Sequence, residues 1–277
     1  MKKGIYIAVI ILLAITLLGS GIYLFNYFWE GKREADRINE LANIVQESRQ
    51  ETETSVPTET TKPSEPTETT EFEPDPDNLD PEETYPAIPD YKKLHEMNPD
   101  FVGWIRIEGT KLNYPVMQSS VDNANYYLYR NFDKQNSTRG SVYVREQCDV
   151  FKPSDNVTLY GHNMKDGSMF ACLHDYIDKK AWNNNSLIFF DTTEEYHVYK
   201  IFAVFKTSAN LGEGFSYHKF ENAANQQEFD NFVSTCKRLS FYDTGITPVY
   251  GDKLICLSTC EYTLDNGRLV VAAVRIT

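Results

Sequence analysis

The sequence predicts a mainly β protein: an eight-stranded β-barrel with a few peripheral helices, preceded by a transmembrane helix and a disordered stalk. Three observations support this prediction. An uncharged apolar run opens the chain, a segment rich in Thr, Glu and Pro follows it, and eight strand-like runs occupy much of the remainder. We accordingly divide the 277 residues into segments 1–29, 30–90 and 91–277.

The segment 1–29 has the composition of a signal anchor. From Gly4 to Trp29, 26 consecutive residues carry no charge, and about 20 apolar residues suffice to cross a bilayer core. Lys2 and Lys3 precede this run, which favours a cytoplasmic N-terminus and an extracellular domain. A cleaved signal peptide is the alternative, but its apolar core spans only about 7–15 residues. We therefore predict a single-pass protein of the cell membrane.

Residues 30–90 connect this anchor to the globular part. Residues 30–50 are predicted to form a short charged helix, and residues 51–90 a stalk that contains eight of the twelve prolines. A composition dominated by Thr, Glu and Pro cannot bury a hydrophobic core, which favours an extended tether. The sequence leaves open whether this tether holds the domain at a set distance or has no specific role.

Almost all of the net charge of −13 belongs to this connecting region. Residues 46–90 hold 14 acidic and 2 basic side chains, whereas residues 91–277 hold 22 acidic and 20 basic. A protein that binds duplex nucleic acid needs a basic stripe to neutralise the phosphates. We therefore expect no nucleic-acid partner.

The segment 91–277 is long enough for one domain with a substantial core. Turn signals separate its strand-like runs, and such a pattern favours a closed barrel. The predicted strands are Val102–Ile107, Leu112–Gln118, Ser141–Arg145, Val157–Tyr160, Leu187–Asp191, His197–Lys206, Lys253–Thr259 and Arg268–Ile276. Helices are predicted at Met169–Asp178 and Gln226–Leu239. A nucleotide-binding α/β fold is disfavoured because the sequence has no βα alternation and no glycine-rich phosphate loop.

The last two predicted strands carry the strongest candidate for chemistry. Cys260 ends the first of them, Arg268 begins the second, and the Asp-Asn-Gly sequence at 265–267 between them is a strong hairpin signal. The two side chains are therefore predicted to be neighbours. A thiol beside a guanidinium ionises more readily, and the same cation can stabilise an oxyanion. The alternative is a buried cysteine and a surface arginine that frame an ordinary hairpin.

An acid or base for this thiol would come from one of five histidines. His162 follows the strand that ends at Tyr160, and Gly161 between them allows a sharp exit that places the imidazole at the end of a strand. His174 lies on a predicted helix and is the next candidate. A histidine at the end of a strand is by itself more often structural.

The five cysteines are an odd number for an exported chain, so at least one stays free or pairs with another chain. The sequence has no C-x-x-C pair, and we expect no metal site. Cys256 has the same strand parity as Cys260, which leaves two interpretations, a packed core thiol or a local redox effect.

Several motifs together resemble class B sortases. The resemblance rests on the Tyr-Gly-His-Asn-Met run that contains His162, the Leu-Ser-Thr-Cys-Glu run that contains Cys260, and the Leu-Val-Val strand that Arg268 opens. It extends across residues 91–277 through the segments Asn98–Ile107, Tyr114–Gln118, Tyr126–Tyr129, Arg139–Tyr143 and Ser168–Phe170. An N-terminal signal anchor is also typical of this family.

The resemblance implies a cysteine transpeptidase that works without a metal or organic cofactor. It implies that Cys260 attacks the carbonyl of Thr in the C-terminal sorting motif of a secreted protein, and that an amine of a peptidoglycan precursor resolves the thioester. His162 is expected to move the protons, and Arg268 to hold the substrate carbonyl or the thiolate. The residues expected to contact the substrate are Leu128, Ser258, Thr259 and Glu261.

Other functions stay open at this point. A pilin-polymerising sortase would use a substrate lysine in place of the cell-wall amine. A surface cysteine peptidase would release an acid product in water. A non-catalytic, membrane-tethered binding domain would leave Cys260 inert to alkylation.

Overall fold

The computed structural model describes residues 2–54, 91–210 and 212–277. Its contacts separate an N-terminal unit, which ends at Ala42, from a C-terminal unit that contains the barrel. Most of the predicted stalk, residues 55–90, lies outside the described residues.

The N-terminal part of the chain forms one continuous helix, α1 (Lys2–Thr54). The helix predicted for residues 30–50 is present as a continuation of the membrane-span helix and not as a separate element. The chain has no proline before Pro57, so no residue there forces a break. Most apolar side chains of α1 between Ile5 and Trp29 are exposed, Leu17 for example at 74%, whereas Leu41 is buried. Within the described ranges, α1 is the one helix long and apolar enough to cross a membrane, and a signal sequence has the same features.

The C-terminal unit is a closed barrel of eight strands, which confirms the predicted fold class. The strand order around the barrel is β1-β2-β3-β4-β7-β8-β6-β5, and only β2–β3 and β4–β7 pair in parallel. Every predicted strand is present, with ends within two residues of the prediction. The strands are β1 (Phe101–Arg106), β2 (Asn113–Met117), β3 (Val142–Val144), β4 (Asn156–Tyr160), β5 (Leu187–Thr192), β6 (Val198–Ser208), β7 (Leu254–Glu261) and β8 (Gly267–Arg275).

Strands β7 and β8 are buried on both faces. The barrel interior collects side chains from all eight strands, including Leu257 on β7 and Val271 on β8. The outer face of the same two strands packs under helix α4 (Gln226–Leu239), with Cys256 among its residues. Because both faces are buried, odd-numbered and even-numbered residues of β8 are both apolar. Side chains alternate along β7, so those that share a face with Cys256 project outward.

The smaller helices agree less well with the sequence prediction. The helix predicted at Met169–Asp178 is a 3-10 helix, Ala171–Ile177. It begins after Met169, whose φ of 57° does not fit a right-handed helix. Two short helices were not predicted, α2 (Lys92–Met97) and α3 (Lys179–Asn184). Another 3-10 helix, Tyr126–Tyr129, lies beside the candidate site.

Candidate active site

Cys260 and Arg268 face each other across the hairpin formed by β7 and β8. Their Cα atoms are register partners, and opposed residues of an antiparallel pair project from the same face of a sheet. That face is the outer one, because Cys256 has the same parity as Cys260 and packs under α4. Both side chains are half-buried. The structure thus places Cys260 and Arg268 directly opposite each other on one face of the hairpin.

The hairpin loop holds one nitrogen of the guanidinium. Arg268 Nη1 donates to the carbonyl oxygens of Gly267 at 2.9 Å and Asn266 at 3.3 Å. Gly267 has no substitute here, because a Cβ would lie 2.4 Å from the carbonyl oxygen of Glu261 across the hairpin. Among the described residues, the structure records no partner for the other nitrogens of the fork. These donors are available to an oxyanion or a substrate carbonyl.

The imidazole of His162 is oriented by a main-chain carbonyl. His162 Nε2 lies 2.8 Å from the carbonyl oxygen of Leu128, and a carbonyl only accepts, so Nε2 carries a hydrogen. Nδ1 is therefore the nitrogen that gains and loses the proton during any acid–base role. The ring of Tyr129 packs at a centroid distance of 5.7 Å from the imidazole. Leu128 thus supplies the orienting group that a carboxylate supplies in a catalytic triad.

A loop beneath Leu128 holds this carbonyl in place. Gly140 has a φ of 57°, and a Cβ at this position would lie 2.3 Å from the Leu128 oxygen. The adjacent Arg139 reaches the loop that follows His162, where Nη1 lies 2.6 Å from Asp166 Oδ2 and 2.7 Å from the Ser168 hydroxyl. Burial alone would raise the pKa of Asp166, but the hydrogen bonds from Ser168 and Arg139 outweigh it and lower that pKa.

Parallel pairing of β4 with β7 brings His162 toward Cys260. Tyr160 is the register partner of Ser258, and Thr259 Oγ1 donates to the Gly161 carbonyl at 2.7 Å. Gly161 is required for close packing, since a Cβ would lie 2.6 Å from the Phe170 ring. Its φ is outside the left-handed region, so the glycine is needed for this close approach and not for a left-handed turn.

The four residues predicted to contact substrate occupy different surroundings. Ser258 shares the outer face with Cys260, and its hydroxyl oxygen lies 2.5 Å from that of Tyr217. Leu128 is half-buried, and its carbonyl oxygen is hydrogen-bonded to the imidazole of His162. Thr259 and Glu261 alternate with Cys260 along β7, so their side chains project to the opposite face.

Glu261 organises the hairpin loop from the inside. Its buried carboxylate accepts from Lys206 Nζ at 2.9 Å and from the hydroxyl and backbone N–H of Thr263 at 2.8 and 3.0 Å. Burial alone would raise the pKa of Glu261, but these bonds outweigh it and lower that pKa. The structure therefore does not bring the side chains of Thr259 and Glu261 together with the thiol of Cys260.

The other four cysteines are unsuited to nucleophilic chemistry. All five are free thiols. Burial raises the pKa of Cys148 and Cys172 to about 11, and it raises the pKa of Cys236 and Cys256 further. Cys256 is fully buried between β7 and α4, which supports the interpretation as a packed core thiol. A thiolate is the reactive form, so these shifts disfavour the four.

Two side chains contact the main chain of Cys260, a role that sequence reasoning did not assign to either of them. Asn163 Nδ2 lies 3.3 Å from the main-chain carbonyl oxygen of Cys260, and His174 Nε2 lies 3.2 Å from the same oxygen. His174, which the sequence offered as a second candidate base, is therefore bound to the backbone of the nucleophile. Its spacing of 86 residues from Cys260 carries no local signal, because only the tertiary fold joins them.

Comparison with known proteins identifies the family to which the chain belongs. The sortase domain family model matches residues 105–276. Sortase B of Staphylococcus aureus is 30% identical over 187 residues, which are 67% of this chain and 74% of that protein. The solved substrate complex of S. aureus sortase B is 29% identical with a TM-score of 0.61, covering 68% of this chain and 84% of the other. A structure of sortase B complexed with triglycine is also 29% identical with a TM-score of 0.61, covering 68% of this chain and 85% of the other.

The half-buried Cys260 lies opposite Arg268 on the hairpin, and His162 is oriented by the Leu128 carbonyl, an arrangement compatible with nucleophilic acyl transfer by a cysteine. The chain belongs to the sortase family, and its relatives and structural neighbours assign it to class B.

Proposed function

We propose that this sortase cleaves the C-terminal sorting motif of secreted proteins after Thr and joins the acyl group to a peptidoglycan amine. The observation that carries the proposal is the direct register pairing of Cys260 with Arg268 on one face of the barrel. The substrate complex and the triglycine complex of related sortase B proteins support a peptide donor and a glycine-type amine acceptor.

The first half-reaction forms a thioester. The Cys260 thiolate attacks the Thr carbonyl carbon, and the negative charge that develops on the carbonyl oxygen is stabilised by the free donors of Arg268. Collapse of the tetrahedral intermediate breaks the C–N bond, and His162 transfers its Nδ1 proton to the leaving amine. The products are the Cys260 thioester and the peptide that followed Thr.

The second half-reaction transfers the acyl group. The incoming amine attacks the thioester carbon, and His162 Nδ1, now neutral, accepts the proton that the amine loses. The C–S bond breaks, the thiolate of Cys260 is restored, and a new amide remains. No step requires a metal or an organic cofactor.

Substrate contacts are assigned from the surroundings of the site. Leu128 is half-buried beside His162, and we assign it to substrate binding. Ser258 is buried and its hydroxyl is bonded to that of Tyr217, so we assign it to support of the strand that carries Cys260. Thr259 and Glu261 act on the substrate indirectly, because Thr259 secures the Gly161 backbone and Glu261 secures the hairpin loop. This assignment refines the contact set that the family resemblance implies.

The uncharged part of α1 anchors the enzyme in the cell membrane, with the catalytic domain on the extracellular side. Its exposed apolar side chains and its length support this assignment. The lysines at its beginning favour a cytoplasmic N-terminus. In this arrangement the site faces secreted proteins and cell-wall precursors, the partners that the proposed reaction needs.

The decisive experiment is peptide turnover by the full-length protein in detergent, followed by mass spectrometry. Sorting-motif peptides are incubated with and without triglycine, and Cys260→Ala serves as the control. The proposal predicts cleavage after Thr, a thioester adduct on Cys260, and a Thr-triglycine product that forms faster than the free acid.

Each alternative gives a different outcome in the same experiment. Release of free acid at a rate independent of triglycine indicates a cysteine peptidase. Transfer to a lysine-containing pilin peptide in preference to triglycine indicates a pilin-polymerising sortase. A binding domain shows no cleavage and no alkylation of Cys260.

A further inference from the structure

The carbonyl of Cys260 lies where the β4–β7 ladder has ended. Gly161 N–H donates to the Ser258 carbonyl at 3.2 Å, so the β7 carbonyl at this parity faces β4. The Cys260 carbonyl is two residues further on and faces the same side. Regular parallel pairing would continue to the backbone N–H of Asn163, but β4 ends at Tyr160 and the chain diverges.

Two side chains contact the Cys260 carbonyl in place of a backbone N–H from β4. Asn163 Nδ2 lies 3.3 Å from the Cys260 carbonyl oxygen and 3.0 Å from His174 Nε2. His174 Nε2 lies 3.2 Å from the same carbonyl oxygen. When Nε2 has no proton, one amide hydrogen of Asn163 bonds to the carbonyl and the other to Nε2. When Nε2 is protonated, it donates to the carbonyl directly.

We propose that Asn163 and His174 are positioning residues for the nucleophile. By holding the Cys260 carbonyl, they fix the rotation of its backbone and hence the direction of the Cα–Cβ bond that carries the thiol. The inference rests on the proposed function only in taking Cys260 as the nucleophile. His174 contributes hydrogen bonding and exchanges no proton with the substrate.

Asn163 is placed to position the acid–base histidine and the nucleophile relative to each other. Asn163 follows His162 directly, and its backbone is fixed by an antiparallel bridge to Met169. One side chain therefore joins the loop that carries the acid–base histidine to the strand end that carries the thiol. Because these two groups come from different strands, a shift of about 1 Å between them costs about a hundredfold in rate.

The test compares four variants of the full-length protein in detergent. Asn163→Leu removes the amide at nearly constant shape, and His174→Phe removes the ring nitrogens. The third is the double variant with both changes. The fourth combines Asn163→Leu with His174→Gln, whose amide N–H can occupy the place of Nε2–H. We measure kcat and KM for one sorting peptide, the alkylation rate of Cys260 by iodoacetamide, and the melting temperature.

Each single variant is expected to lower kcat about threefold to tenfold, since the other donor still holds the carbonyl. The double variant is expected to lose about a hundredfold in kcat, with KM within about threefold of wild type. His174→Gln in the Asn163→Leu background should return kcat to within about threefold of Asn163→Leu alone. Alkylation of Cys260 should slow in the double variant and recover with the glutamine.

A matched control is His197, which precedes the first residue of β6 at the end of the barrel opposite Arg268. It is also hydrogen-bonded, with Nε2 at 3.0 Å from a carboxylate oxygen of Glu195. His197→Phe should lower the melting temperature and leave kcat of the folded enzyme unchanged.

Three results would overturn the inference. The first is wild-type kcat in a folded double variant, which would show that the carbonyl needs no support. The second is failure of glutamine to restore kcat, which would point to proton transfer by His174 because glutamine carries no exchangeable catalytic proton. The third is a loss of kcat in each variant that is proportional to the fraction of that variant that is unfolded, which would show that the loss reflects stability alone. If wild-type protein cleaves no peptide, the proposed function fails, while the alkylation rates still test the positioning.

Discussion

At the scale of single residues, the raised pKa of four of the five cysteines disfavours them as nucleophiles. Burial raises the pKa of Cys148 and Cys172 to about 11 and moves the pKa of Cys236 and Cys256 further upward. At neutral pH these four stay protonated and react slowly. Cys260 is therefore the cysteine that we propose as the nucleophile.

We predict that Cys260→Ala abolishes peptide cleavage and the thioester adduct, because no other thiol can substitute for it. Cys148→Ala, Cys172→Ala and Cys236→Ala should keep turnover when folded, although the cavities that they leave will cost stability. Mass spectrometry of the adduct and steady-state turnover check both parts. Strong residual cleavage by Cys260→Ala would contradict the assignment of the nucleophile.

Substitutions of His162 and of Arg268 should affect turnover in different ways. His162→Ala should slow both half-reactions by about 10²–10⁴-fold, the usual contribution of acid–base assistance. Arg268→Ala should cost about 10²–10³-fold in turnover, the usual loss on removing an oxyanion donor. Arg268→Lys keeps the charge but loses the planar fork, so it should stay clearly impaired.

Turnover of one sorting peptide by these variants, with folding checked by thermal melts, provides the measurement. Wild-type turnover by Arg268→Lys would exclude recognition by the fork and leave only a role for bulk charge. Full activity of His162→Ala would require a different base.

At the scale of elements, the sequence predicted the regular parts of the fold and missed contacts that depend on tertiary structure. All eight strands and α4 follow from periodicity, and the turn before Arg268 follows from an Asn-Gly pair, with Asn266 at a φ of 46°. The support of His162 by a carbonyl of the 3-10 helix Tyr126–Tyr129 has no sequence signature, since any residue has a carbonyl. Likewise, side chains alternate between the two faces of β7, but the sequence does not show which face is the outer one. Glu261 can be assigned to the inner face only once the structure shows that Cys260 lies on the outer face.

The Glu261 contacts predict a pH-dependent stability of the hairpin loop. Because its pKa is lowered in the folded state, its contribution is complete above the ordinary glutamate range and is lost as the pH falls through the folded value. Glu261→Gln removes this titration at constant shape. At neutral pH the variant should be less stable by about 1.5–3 kcal/mol, the usual value of hydrogen bonds to a charged group.

Thermal melts of wild type and Glu261→Gln from neutral to acid pH test this expectation. The difference in stability should shrink as the pH falls and vanish when Glu261 is protonated. A constant difference across this range would contradict a charged role for Glu261. A widening difference at acid pH would reverse the sign of the expected linkage.

A second element-level prediction concerns the loop under Leu128. Gly140→Ala introduces a Cβ that would lie 2.3 Å from the Leu128 carbonyl oxygen. The residue also has a left-handed backbone conformation, which alanine disfavours. We expect a loss of about 1–3 kcal/mol in stability from overpacking. We also expect slower acyl transfer, because the displaced carbonyl no longer orients His162. Gly109→Ala is the matched control, since Gly109 also has a positive φ, 70°, with open space around its Cβ position.

At the scale of the whole molecule, α1 is longer than a membrane span requires. Its 53 residues extend about 80 Å at 1.5 Å per residue, whereas the hydrocarbon core of a bilayer is about 30 Å thick. The uncharged stretch ends at Trp29, so the remaining helix, 25 residues to Thr54, continues with charged side chains. An anchor of this kind extends the helix beyond the lipid before the Thr/Glu/Pro-rich segment begins.

The full-length protein is therefore predicted to fractionate with membranes and to resist alkaline carbonate extraction. Removal of residues 2–29 should transfer it to the soluble fraction, because the exposed apolar surface of α1 lies in that stretch. Protease added to intact cells should release a fragment that contains Cys260 and retains peptide cleavage, since residues 51–90 cannot contribute to the barrel core.

Sequencing of the mature N-terminus decides between the two interpretations of the apolar helix. An intact Met1 or Lys2 supports an anchor, whereas a mature N-terminus near residue 20 would show that the helix is a cleaved signal peptide.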